Sequence, residues 1–68
     1  MKWQYKGDPS TSGWYAVLVC YDPLEGSIPM GAWWDGGEWK QRDVVAFGDS
    51  RPSQGEAEDL AYEHDPEA

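Results

Sequence analysis
The chain has 68 residues, with thirteen acids against five bases and a net charge of −8. The length bounds it to one domain, and the charge excludes electrostatic attraction to nucleic acid or to an anionic membrane. With one cysteine and one histidine, neither an internal disulfide nor a metal site is expected.

A chain this short buries only about 60% of the surface it exposes when unfolded. Dense packing must compensate. Five Trp, four Tyr and one Phe supply it, since each can bury about 150–250 Å². Met1–Lys6 leads into no secretory pattern, and the longest apolar run is far too short to span a bilayer. The lone cysteine fits a reducing cytoplasm.

Met1–Lys6 alternates Trp3 and Tyr5 against Lys2, Gln4 and Lys6, the period-two pattern of a half-wet strand. Gly7–Gly13 is a loop by composition. The run Trp14–Tyr21 (WYAVLVCY) is uncharged, and both of its alternating faces are apolar. It reads as a central strand covered above and below, with Cys20 an inert thiol in mid-strand. Asp22–Pro29 is turn-rich and ends it. Met30–Trp34 reads as a second strand. Asp35-Gly36-Gly37 tolerates positive φ and starts a hairpin that sets Trp39 near Trp33 or Trp34. That hairpin leaves a free edge to which another copy can add. Val44–Phe47 is a last short strand, broken by Gly48–Pro52.

Ser53-Gln54-Gly55-Glu56 matches the S-x-x-E capping box. Ala57, Leu60, Ala61 and His64 then recur at helical spacing, and Pro66 ends the helix near His64. The expected fold is therefore α+β. A small antiparallel sheet of three to five short strands, over about residues 2–47, carries one C-terminal helix, over about 54–64, on one face. Residues 1–68 form a single domain.

The charge is unevenly placed. Glu56, Glu58, Asp59, Glu63, Asp65 and Glu67 lie in residues 53–68, which contain no Lys or Arg. That is about one charge per 4 Å of helix at 1.5 Å rise per residue, near the density of one nucleic-acid strand, about one per 3.4 Å. Glu63 and Asp65 sit at the helix end whose dipole favours cations, and no Lys stands four residues away to relieve repulsion. Helix stability did not select these acids. The alternatives are a solvated face or a surface that imitates nucleic acid, with Asp43 and Asp49 joining it.

Other candidates are weaker. Cys20 with His64 makes a dyad only if the helix end meets the strand. Asp35 and Glu38 read as turn residues rather than paired carboxylates. Trp33, Trp34 and Trp39 form either core or an exposed apolar anchor for a protein partner. No catalytic residue set, cofactor motif or metal set emerges, and no enzyme activity is expected.

The order Tyr15–Val19, then Gly31–Trp39 with its W-D-G-x-x-W hairpin, then Val44–Phe47 resembles a family of small phage and prophage proteins of unknown function, over about residues 14–47. The proline-rich ending of that family is replaced here by the acidic segment. In type, a short, acidic, non-catalytic phage-like chain is similar to the small anti-CRISPR proteins. That resemblance implies a monomeric inhibitor in the host cytoplasm. Its partner would be a basic host complex, a CRISPR surveillance complex, whose Lys/Arg channel normally holds DNA. The chain itself would bind no nucleic acid and no membrane.

Overall fold
The uncharged run after the first loop forms the middle of a three-stranded antiparallel sheet in a computed structural model that describes residues 1–67. Strand β1 is Gly13–Val19, β2 is Ile28–Trp34, β3 is Val44–Arg51, and helix α1 is Gln54–Glu63. The sheet order is β2-β1-β3. This is the expected α+β fold, with one C-terminal helix packed on one face.

β1 is central because both its faces are apolar, and both are covered. It pairs with β2 in unbroken register from Gly13↔Trp34 to Val19↔Ile28. Against β3 the register shifts twice, between Tyr15 and Val17 and between Leu18 and Val19. The second shift sets Val44 and Ala46 opposite successive β1 residues. Val45 is left over and turns outward, 43% exposed, as a bulge requires.

Four boundaries differ from the sequence reading. β2 begins at Ile28 and not at Met30, because Ile28 and Pro29 pair with Val19 and Leu18. β3 runs on through Gly48 to Arg51 instead of breaking at Gly48, because Trp14 and Tyr15 offer it pairing partners. Met1–Lys6 contributes one bridge rather than a strand, Gln4 exchanging two backbone hydrogen bonds with Phe47 (2.8 and 3.0 Å). Cys20 lies just past the end of β1, partly buried, its N–H donating to the Asp43 carbonyl at 3.0 Å.

The sheet order also settles the hairpin. Trp39 bridges Trp34, with ring centroids 5.1 Å apart. The chain then leaves β2 for the far side of β1, since β3 pairs there. The link between β2 and β3 lays Trp39 against the cluster of Tyr15, Val17, Val19, Ala32 and Trp34. α1 covers the opposite face, where Ala16 meets Leu60 and Ala61 with Met1 and Trp3 beside them.

The outer edge of β2 is partly occupied. The Lys40 N–H donates to the Trp33 carbonyl at 2.9 Å, and the Gln54 amide donates to the Gly31 carbonyl at 3.2 Å. Pro29 shares their direction by strand alternation and has no N–H to offer. The edge expected to be open to another copy is blunted by these three residues.

Candidate functional site: the acidic helix and its surroundings
α1 begins where the capping signal placed it. Ser53 has extended backbone angles and its hydroxyl accepts the Glu56 N–H at 3.2 Å. The same hydroxyl donates to the Glu56 carboxylate at 3.0 Å, so Glu56 is spent on the cap. At the other end the His64 N–H returns to the Leu60 carbonyl, and the Trp3 indole N–H donates to the His64 carbonyl at 2.9 Å. These contacts satisfy end groups that a helix leaves open.

The helix docks through Ala57, Leu60 and Ala61, all buried. At about 100° per residue, this turns Asp59 and Tyr62 directly outward, with Glu58 on one flank and Glu63 on the other. Glu58, Asp59, Tyr62 and Glu63 are exposed. Among the described residues, the carboxylates of Glu58, Asp59 and Glu63 make no hydrogen bond or ion pair. The cations that form ion pairs are committed elsewhere: Lys40 lies 3.2 Å from both Asp35 and Glu38, and Arg42 lies 3.8 Å from Asp43.

The eight acids singled out from the sequence therefore separate. Glu58, Asp59 and Glu63 form one uncompensated outer face. Glu56 caps the helix. Asp65 accepts the Glu67 N–H at 3.0 Å. Glu67 accepts the Ser27 N–H at 2.9 Å and the Ser27 hydroxyl at 3.5 Å, tying the tail to the loop between β1 and β2. Asp43 has positive φ of 61° and pairs with Arg42. Asp49 is exposed on β3. Asp43 and Asp49 are six steps apart along nearly extended chain, roughly 20 Å at 3.3 Å per residue. The two do not share one patch.

The turn acids serve local structure. Asp35 Oδ1 accepts the N–H groups of Gly37 (2.8 Å) and Glu38 (2.7 Å). Those bonds, with Lys40 beside them, hold its carboxyl below the ordinary value of 3.8, and the same pairing raises the Lys40 ammonium.

All five Trp are at least partly buried. Trp34 is 4% exposed, and its indole N–H has no partner among the described residues. Trp14 and Trp33 pack edge to face at 5.2 Å. Of the three hairpin Trp residues, Trp34 is core with Trp39 packed against it, and Trp33 stays partly exposed beside Trp14. The large apolar residue that stands out is Leu24, 95% exposed. Its turn is fixed by Asp22, whose carboxylate accepts the Leu24 N–H at 3.0 Å and whose carbonyl accepts the Glu25 N–H at 2.9 Å. A leucine inside Asp-Pro-Leu-Glu-Gly was the sequence signal for it, hidden by the turn composition around it.

No hydrogen bond joins Cys20 to His64 among the described residues. Nor does any group of three His, Cys, Asp or Glu side chains converge there as a metal would need. Among the same residues, no helix is long and apolar enough to cross a membrane. Comparison with protein-family models, curated proteins and solved structures finds no match to this chain.

Proposed function
We propose that this protein is a non-catalytic inhibitor that presents the outer face of α1 to a basic surface of a nucleic-acid-handling protein. Glu58, Asp59 and Glu63 act as phosphate surrogates. The partner class is a Lys/Arg channel that holds DNA, such as that of a CRISPR surveillance complex in the cytoplasm of a phage host. One observation carries this reading: three exposed carboxylates on one rigidly docked helix have no internal cation to neutralise them. Asp59 and Glu63 stand one turn apart, about 5–6 Å between Cβ atoms, so the repulsion is retained rather than relieved. A capped, docked helix holds these charges without an ordering cost at binding.

The test is capture of partners by the tagged protein from host lysate at low salt, with and without competing double-stranded DNA. The expected partner is DNA-binding, is displaced by DNA, and loses affinity as salt rises. Glu58→Lys, Asp59→Lys and Glu63→Lys should each weaken it roughly tenfold, about 1.4 kcal/mol. Binding indifferent to salt and to all three reversals would refute the mimic.

A second reading rests on Leu24. A fixed turn with an almost fully exposed leucine suits insertion into an apolar pocket of a protein partner. In that case Leu24→Ala abolishes capture and the helix reversals leave it intact.

A further inference from the structure
The outer face of α1 holds an aromatic side chain that charge mimicry leaves unused. Tyr62 stands among Glu58, Asp59 and Glu63 and is 57% exposed. It lies outside the buried stripe of Ala57, Leu60 and Ala61, and its hydroxyl makes no hydrogen bond among the described residues. Glu58 and Asp59 stand one turn before it, about 5–6 Å away between Cβ atoms. Helical side chains lean toward the N-terminal turn, so the ring leans toward those two carboxylates. A similar grouping occurs elsewhere in the chain, and there it is filled. The Arg42 guanidinium lies over the exposed Tyr21 ring, 4.9 Å from its centroid, with its Nε 3.8 Å from the Asp43 carboxylate. The chain thus sets an arginine between an exposed tyrosine ring and a carboxylate. Around Tyr62, no cation of the chain pairs with the three carboxylates among the described residues.

We propose that Tyr62 is the arginine-selecting residue of this face, and that the partner surface presents an arginine to it. The assignment rests on the reading of the face as the docking surface for a basic protein, and it separates arginine from lysine within that reading. A guanidinium is planar and weakly hydrated, so it stacks on a ring while its N–H groups reach the carboxylates at the ring's edge. A lysine ammonium is compact and strongly hydrated, and it pairs with Glu58 or Asp59 without needing the ring. An anion is repelled by the three carboxylates. An apolar group set on the ring would strip water from charges it cannot pair.

The experiment is titration of the ¹⁵N-labelled full chain with hexa-arginine and with hexa-lysine at equal ionic strength, followed by the amide shifts of Glu58–Glu63. Both peptides should bind there, hexa-arginine the more tightly. Tyr62→Leu should weaken hexa-arginine by about twofold to fivefold, the worth of one exposed cation–π contact, and leave hexa-lysine nearly unchanged. Tyr62→Phe keeps the ring and should bind both peptides as the parent does. Tyr62 is exposed and leucine is a good helix former, so both variants retain the fold. Combined Glu58→Lys, Asp59→Lys and Glu63→Lys should abolish binding of both peptides. An equal loss of the two peptides in Tyr62→Leu, or a loss of neither, overturns the arginine assignment, since any preference would then come from the carboxylates alone. If the triple reversal still abolishes both peptides in that case, the acidic-face reading survives. If neither peptide shifts Glu58–Glu63, or the triple reversal leaves their binding intact, the acidic-face reading fails and the assignment falls with it.

Discussion

The two faces of β1 are covered by different means. On the helix side the contact is made by Leu60 together with small residues: Ala16 on β1, Gly31 on β2, and Ala57 and Ala61 on α1. A Cβ added at Gly31 would collide with the Gln54 carbonyl and stand 3.0 Å from the Glu58 nitrogen and 3.2 Å from the Ala57 Cβ. Backbone there approaches backbone. On the other side no regular element is present to approach. Tyr15, Trp34, Trp39 and Phe47 fill the space with edge-to-face and tilted rings at 5.1 to 6.0 Å. A helix brings its own bulk to a sheet, so where its backbone comes closest, at Gly31, the sheet residue must be small. A crossing loop brings little, so aromatic side chains must supply the cover.

Substitutions on each face test this difference. The largest effect is expected on the aromatic face. Trp34→Ala should cost about 3–5 kcal/mol, a large share of the total at about 0.05–0.15 kcal/mol per residue, read as a fall in urea midpoint. Trp34→Phe should cost far less than Trp34→Ala. It keeps a ring and removes a buried indole N–H without a partner, whose burial costs about 1–3 kcal/mol. Equal losses in the two variants would show that the orphaned donor carries no penalty.

The helix face is tested next. Gly31→Ala should destabilise by about 1–3 kcal/mol through overpacking and should loosen α1 from the sheet, visible as faster amide exchange in Ala57–Ala61. Gly55→Ala is the matched control. A Cβ there meets nothing within 4 Å, so the variant should stabilise the helix by about 0.5–1 kcal/mol. If both variants destabilise alike, close approach at Gly31 is not what limits the packing. Ser53→Ala should cost about 1 kcal/mol by removing the cap, measured by thermal unfolding.

The smallest effect belongs to the turn that starts the crossing loop. The Asp35 carboxyl is held below its ordinary value by the backbone N–H groups of Glu38 and Gly37 and by Lys40. A group with a depressed folded pKa contributes stability above its unfolded value, and the contribution is lost as pH falls through the folded value. Acidification from pH 5 to below 3.8 should therefore loosen Gly37–Lys40, as followed by amide exchange. Asp35→Asn should flatten that pH dependence. An unchanged profile in Asp35→Asn would assign the acid lability elsewhere.

Local signals in the sequence were strong where the chemistry is local. Trp14–Tyr21 has no charge on either face, and that placed β1 at the centre. Ser53 and Glu56 marked the start of α1, and its buried stripe of Ala57, Leu60 and Ala61 follows helical spacing. The acidic face was legible because the tail has no base. The roles of Glu56, Asp65 and Glu67 within that tail were not legible. The Ser27–Glu67 link spans forty residues, and no local pattern encodes such a contact.

The sequence by itself determined the central strand, the helix with its cap, and the charge asymmetry, since these follow from side-chain periodicity, capping residues and counting. The tertiary structure decided the rest: that β3 pairs with β1 and not with β2, that Trp34 is buried with Trp39 against it, and which acids stand uncompensated. The reason is physical. Strand pairing and burial are settled by which faces meet, and an antiparallel edge offers nearly the same backbone hydrogen bonds to any strand. Only the joint demand of covering both faces of β1 sends the chain across the sheet after Trp39.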